Sequence, residues 1–197
     1  MEFTEVLRKR KMVRTFDPDP LDRGAVERIL AAVARAPSAG YAQGFAFLAF
    51  DGPEETARFW DAASSDPEWP SPGLRAASLV VVPLAGKDVY LTRYAEEDKG
   101  WTDRDEGRWP VPYWLVDTSF ASMLILLAAV DEGLGALFFG LFDDGYERLR
   151  DACGVPEGWA PIGAVAIGHP ATTDPVRSSA HSRDRRPLDD LVHRGRW

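Results

Sequence analysis

Several chemistries are excluded by what this sequence lacks. Cys153 is its only cysteine, so no disulfide can close within the chain. With no histidine in its segment, Cys153 reads as a small core residue rather than a nucleophile. His169, His181 and His193 lie far apart and have no HExxH or CxxC companion, so no metal site is expected. No GxSxG elbow marks a reactive serine, and no GxGxxG follows a strand, which argues against a Rossmann dinucleotide cradle. Cations are in deficit. The 23 Lys and Arg against 31 Asp and Glu give a net charge of -8, the wrong sign for a nucleic-acid partner. The start Met-Glu-Phe-Thr-Glu lacks the basic-then-apolar pattern of a secretory signal, so a cytoplasmic location is expected. There is no internal repeat, and proline and glycine are scattered, so residues 1–197 read as a single globular domain.

What is present centres on residues 113–142, YWLVDTSFASMLILLAAVDEGLGALFFGLF. Leu115, Val116, Phe120, Met123, Leu124, Leu126, Leu127 and Val130 point in most directions around a helix and leave almost no wet face. Such a helix must be buried. Asp117, Ser119, Ser122 and Asp131 interrupt the apolar run, whereas a membrane span wants roughly 18 or more apolar residues in a row. No membrane is therefore expected, and the helix reads as a core element shared with a second chain.

Around it the periodicities predict helices over 2–11, from Asp22 to Ala36, 54–64, 88–94 and 146–152. Strands are predicted over 45–50, 78–84, 137–142 and 160–168, an α+β arrangement with a central mixed or antiparallel sheet flanked by helices. The tail from His169 has little apolar surface before Leu188, Leu191 and Val192, as expected of a segment that wraps over another subunit.

Candidate ligand-binding residues fall in separate stretches. Arg10, Lys11, Met12 and Arg14 form a basic run after the first helix, fit either for a phosphate or as a solvated helix end. Pro37, Ser38, Ala39, Tyr41 and Gln43 lie in a small, polar loop whose amides and side chains can meet a polar ring edge. Arg183 and Arg185 alternate in the tail, so an extended backbone would aim both one way, toward an anion or toward water; Arg177 belongs to the same basic end of the chain. Trp101, Trp109, Tyr113 and Trp114 follow a long irregular stretch, and they fit either a lid that stacks planar ligands or ordinary core packing.

Taken in this order, these motifs, with GLGALFFG and PIGAVAIGHP, resemble the nitroreductase family of flavin mononucleotide enzymes over nearly the entire chain. The family's Arg-Arg-Ser-x-Arg-x-Phe motif matches Arg10, Lys11, Met12 and Arg14. Its Pro-Ser-x-x-Asn-x-Gln-Pro-Trp loop matches Pro37, Ser38 and Gln43, with Tyr41, Gly44 and Phe45 replacing Asn, Pro and Trp. The resemblance implies that Arg10 and Met12 lie by the ribityl phosphate of FMN, with Arg14 at the N1/O2 edge of its ring. It implies that the backbone of Leu137, Phe138, Phe139 and Gly140 approaches flavin N5, and that Arg183 and Arg185 close on the phosphate.

The resemblance further implies a homodimer with sites at the subunit interface and a C-terminal extension exchanged between protomers. The implied activity is transfer of hydride from NAD(P)H by way of flavin N5 to an electron-poor planar acceptor such as a nitroaromatic or quinone. No protein acid or base is obligatory in such a reaction. Besides a protein of this fold that uses a deazaflavin, two alternatives stand beside it. One is a protein that sequesters flavin without turnover. The other is a flavin-fragmenting dimethylbenzimidazole synthase, an enzyme that carries an Asp where Met12 stands here.

Overall fold

Strand β3 (Leu79–Gly86) is buried along its whole length, and the other elements are laid on its edges and faces. The chain is described by a computed structural model over residues 1–66, 68–142, 144–173 and 182–197; Arg177 and His181 lie outside the described residues. Before β3 come helix α1 (Phe3–Lys9), the two-residue strand β1 (Phe16–Asp17), helix α2 (Arg23–Ala31), strand β2 (Phe45–Asp51), helix α3 (Pro53–Ala63) and the single turn α4 (Pro72–Arg75). After it come α5 (Lys87–Tyr94), α6 (Tyr113–Asp131), β4 (Gly135–Phe139), α7 (Gly145–Cys153), β5 (Trp159–Pro161) and β6 (Ala164–Pro170).

Among the described residues all strand pairings are antiparallel, and the only parallel contact is an isolated bridge between Met12 and Ala136. One edge of β3 pairs with β2 from Leu79 to Ala85. The other edge is shared: Leu79–Val81 pair with β6, and Leu84–Gly86 with β5. Pro83 falls at the junction of these two partners, where its missing N–H breaks no regular ladder and its carbonyl accepts from Ile162 N–H at 3.1 Å. The strand expected over 160–168 is thus divided. At Gly163 φ is +152° and a Cβ would lie 2.6 Å from the Phe138 ring, so only glycine lets the chain pass there. The strand expected over 137–142 is likewise displaced, to Gly135–Phe139, because Gly135 already pairs with Gly168 while Gly140 leaves the sheet.

Alternation along β3 feeds two cores. Val80, Val82 and Leu84 face Phe50, Phe59, Trp60 and Leu149 under α3 and α7. Leu79 and Val81 face Val26, Ile29, Ile125 and Leu126 under α2 and α6. The start of α2 is fixed by Asp22, whose carboxylate accepts from Ala25 N–H at 2.9 Å.

Within the protomer, helix α6 is buried along one face. Trp114, Asp117, Thr118, Ala121, Ser122, Ile125, Leu126, Ala129 and Val130 form its buried face. The hydroxyls there are satisfied within the helix, Thr118 donating to Trp114 O at 2.6 Å and Ser122 to Thr118 O at 2.7 Å. On the opposite side Leu115, Phe120 and Met123 stay 39%, 49% and 44% exposed in the protomer. Among the described residues α6 alone is long and apolar enough to cross a membrane, and half of that window is buried inside the protein.

Candidate functional site

The basic run is placed by the edge of the sheet. Helix α1 ends at Lys9, and the chain then extends beside β4, with Val13 N–H donating to Ala136 O at 3.0 Å. Gly135 makes this approach possible, since a Cβ there would lie 2.9 Å from the Val13 side chain. Val13 is buried, Arg10, Met12 and Arg14 are half-buried, and Lys11 is exposed. No carboxylate pairs with Arg10, Lys11 or Arg14 among the described residues. Other cations of this acidic chain are engaged: Arg28 holds Glu132 through two bonds of 2.7 and 2.8 Å, Arg93 holds Asp98 at 2.6 and 2.8 Å, and Lys87 reaches Glu106 at 2.8 Å.

The loop after α2 is a set of tight turns. Gly40, Tyr41 and Gln43 all have positive φ, at 59°, 55° and 53°. For tyrosine and glutamine this left-handed region is uncommon, and such residues cluster where a loop is shaped for a ligand. The expectation of free loop amides needs correction. Ala39 N–H donates to Asp117 Oδ2 at 2.8 Å, Tyr41 N–H to Ser38 O at 3.0 Å, Ala42 N–H to Ala39 O at 3.1 Å, and Gln43 N–H to Ser38 Oγ at 2.9 Å. The turns consume these donors. Because Ser38 Oγ accepts from Gln43, its own proton remains to be donated. Tyr41 is 75% exposed, and Pro37 and Gln43 are also exposed.

At the end of β4, Leu137 and Phe139 turn toward the α3/α7 core, where Phe139 stacks on Trp60 at 5.7 Å and 20°. Phe138 points to the opposite face and packs against the α2/α6 core. Phe138 and Phe139 are half-buried, and Gly140 is exposed.

The aromatic stretch is a packed cluster rather than an open flap. Tyr94 lies 4.9 Å from Trp101 and 4.5 Å from Trp109, and Trp109 lies 5.9 Å from Tyr113 and 6.1 Å from Trp114. Trp114 is 8% exposed and packs with Ala85 and Tyr90, the core packing that the sequence left open beside a lid. The cluster does border the loop: a Cβ on Gly40 would sit 2.7 Å from the Tyr94 ring, and Arg93 Nε–H donates to Gly40 O at 2.9 Å.

Two residues outside the sequence-derived set belong to this region. Asp117 is 3% exposed on α6 and accepts from both Ala39 N–H and Tyr90 OH, each at 2.8 Å. Tyr90 is fully buried; burial foremost, then the bond to Asp117, pushes its phenol well above its ordinary value. The sole sequence signal was a carboxylate in an otherwise apolar helix.

Arg183 and Arg185 are exposed and have no recorded contact with Arg10, Lys11 or Arg14 of the same protomer. A cavity of about 470 Å³ lies elsewhere, lined by Pro18, Leu21, Gly52, Trp60 and Arg75, and contains none of the residues singled out above. Among the described residues no three His, Cys, Asp or Glu side chains gather as a metal site.

Comparison with known proteins gives this geometry a context. Residues 7–169 match the model of the Nitroreductase family. A 5,6-dimethylbenzimidazole synthase of Rhodobacter capsulatus is 30% identical over 202 residues, covering 98% of this chain and 89% of the synthase. A nitroreductase-like protein of Archaeoglobus fulgidus, whose name pairs NADH dehydrogenase with NAD(P)H nitroreductase, is 26% identical over 198 residues, 100% of this chain and 99% of the relative. In fold, the chain superposes on a nitroreductase-like protein of Exiguobacterium sibiricum solved in complex with FMN. The TM-score is 0.72 at 20% identity, over 98% of this chain and 97% of the other.

Proposed function

Since this chain belongs to the nitroreductase family, we propose that it is an FMN-dependent oxidoreductase that takes electrons from NAD(P)H and passes them to an electron-poor planar acceptor, a nitroaromatic or a quinone. The observation that carries this reading is the row Arg10, Lys11 and Arg14, held along β4 without carboxylate partners among the described residues in a chain of net charge -8. Unpaired guanidinium and ammonium groups, two of them half-buried, are poised for an anion such as a phosphate.

When bound, FMN supplies the two-electron chemistry, and the protein's share is to bind, orient and polarise. Arg10 and Lys11 would hold the phosphate, and Arg14 would place positive charge by the pyrimidine edge of the ring, where negative charge gathers on reduction. Ser38 has a hydroxyl proton to donate, and Gln43 offers a side-chain amide beside it. The backbone at Phe139 and Gly140 is open to the ring, while the side chains of Leu137 and Phe139 anchor that backbone in the core. Tyr41, exposed in the left-handed region, is the side chain best placed to stack on an acceptor.

The protein would act as a cytoplasmic homodimer of one-domain chains. The apolar outer face of α6 and the apolar side chains of the tail, Leu188, Leu191 and Val192, would be covered by the second subunit, and Arg183 and Arg185 would reach the site from there.

The test is the visible absorption spectrum of the purified protein, with chromatography of the chromophore released on denaturation. Stoichiometric FMN and steady oxidation of NADH or NADPH with a quinone are expected. A colourless protein that takes up no added FMN refutes the reading. Bound FMN without turnover of any acceptor would favour a sequestering protein.

A second reading rests on the 30% identical synthase: fragmentation of reduced flavin to 5,6-dimethylbenzimidazole. Met12 opposes it: a half-buried residue with a thioether side chain, its backbone bridged to Ala136, stands where that enzyme carries an Asp. Appearance of dimethylbenzimidazole from reduced FMN in air would reverse this judgement.

A further inference from the structure

We propose that Asp117 is a positioning residue, which fixes the shape of the Ser38–Gln43 loop from inside the protein; this rests on the reading of that loop as part of the FMN site. A carboxylate 3% exposed, on the face of α6 that otherwise packs Ala121, Ile125 and Ala129 against the sheet, is costly to bury. No cation pairs with it among the described residues, and its recorded bonds come from neutral donors, Ala39 N–H and Tyr90 OH, both to Oδ2 at 2.8 Å. Core packing alone would be served as well by a leucine. What a leucine cannot do is hold the first amide of a turn that lies 78 residues away in sequence.

The loop needs such a hold. Gly40, Tyr41 and Gln43 occupy the left-handed region, and the latter two adopt it against the preference of L side chains. Arg93 secures the other end of the peptide stretch by donating to Gly40 O, and is itself anchored by Asp98 and Glu96. Asp117 from below and Arg93 from the side therefore grip consecutive residues, Ala39 and Gly40. Tyr90 orients the carboxylate and packs beneath Gly44, where a Cβ would come within 2.4 Å of its ring. With Ala39 N–H given to Asp117 and the amides of residues 41, 42 and 43 spent inside the loop, the Ser38 hydroxyl and the Gln43 side chain are among the groups left for a ligand. Their directions follow from the shape that Asp117 enforces. Asp117 touches no ligand itself.

The test uses the full chain in four forms: wild type, Asp117→Ala, Asp117→Asn and Tyr90→Phe. Amide hydrogen exchange is followed in peptides covering 38–43 and, as an internal control, 79–86; FMN affinity is measured by fluorescence titration. Asp117→Ala should speed exchange in 38–43 about tenfold or more, with 79–86 unchanged, and weaken FMN binding by a similar factor, the size expected when a charge-assisted hydrogen bond is lost. Asp117→Asn retains an acceptor oxygen and should restore most of both losses. Tyr90→Phe leaves the bond to Ala39 and should show a smaller rise. Exchange in 38–43 that stays at the wild-type rate in Asp117→Ala, or that rises equally in 79–86, overturns the proposal. Should Asp117→Ala not fold, a rise confined to 38–43 in Tyr90→Phe, with Asp117→Asn near the wild-type rate, supports the proposal, and wild-type exchange of 38–43 in Tyr90→Phe, or an equal rise in 79–86, overturns it. If wild type takes up no FMN, the preceding functional reading fails, and the exchange measurements still decide this one.

Discussion

The two layers that flank the sheet are built to different ends. The α3/α7 side is aromatic and closed: Phe59 and Trp60 are 0% and 1% exposed, their rings 4.7 Å apart and nearly perpendicular, and Phe139 stacks on Trp60. The α2/α6 side is aliphatic and filled by Val26, Ile29, Ile125 and Leu126. Its outer helix then turns Leu115, Phe120 and Met123 to the surface. One layer is complete within a single chain. The other ends in an apolar face of the kind that marks an interaction surface. The loop after α2 is tied to that second layer by the bond from Ala39 N–H to Asp117 on α6, while the run beside β4 lies between the layers, Met12 packing against both.

Breaking the closed layer should cost most. Phe59→Ala removes a fully buried ring from the aromatic core, and a loss of about 3–5 kcal/mol in unfolding free energy is expected by denaturant titration. Ile125→Ala in the aliphatic layer should cost about 2–5 kcal/mol in the same assay. If the two losses were reversed in order by a wide margin, the contrast in packing drawn here would be wrong. The double change Phe120→Asp with Met123→Asp tests the open face. It should alter protomer folding little and yet convert a dimer to monomers in sedimentation, whereas a wild-type profile would mean that this face is not the one covered.

The smallest effect belongs to the rim, where Arg28 joins α2 to Glu132 at the end of α6. The Arg28 guanidinium holds the Glu132 carboxyl below the usual carboxylate range. A depressed carboxyl contributes stability that is present above its unfolded value and is lost as pH falls through its folded one. Glu132→Gln should therefore lower the melting temperature slightly at neutral pH and not at all in acid, a difference that salt should shrink because the pair is exposed.

Local patterns in the sequence account for much of this. The i, i+3, i+4 stripe of Val26, Ile29, Leu30 and Val33, the cap at Asp22, and the apolar run of β3 lie where the chain pattern places them. Strands β1 and β5 are two and three residues long, too short for a period of two to register, and owe their existence to β6 and β3. The break at Gly163 depends on the Phe138 ring and Phe139 O, and no neighbour in sequence announces it. The same holds for the loop. Its composition points to residues 37–43 as ligand-facing, but the partner of Ala39 N–H sits 78 positions away, one of a few polar residues that interrupt an apolar helix. Periodicity reports which way a residue faces, and it is silent on which distant group will meet it there.

The shared edge of β3 bears on how the chain comes to fold. Leu79–Val81 can pair with β2 as soon as both have left the ribosome, yet their other neighbour, Val165–Ile167, is among the last parts of the fold to be made. Until then a strand of Leu, Val, Val, Val, Pro, Leu, Ala and Gly has one edge with nothing on it. Pro83, by withholding a donor in the middle of that edge, makes it a poorer template for another nascent chain. A chain halted before Trp159 should accordingly aggregate, and more so with Pro83→Val, while the finished protein has no such exposure because β5 and β6 have closed the edge.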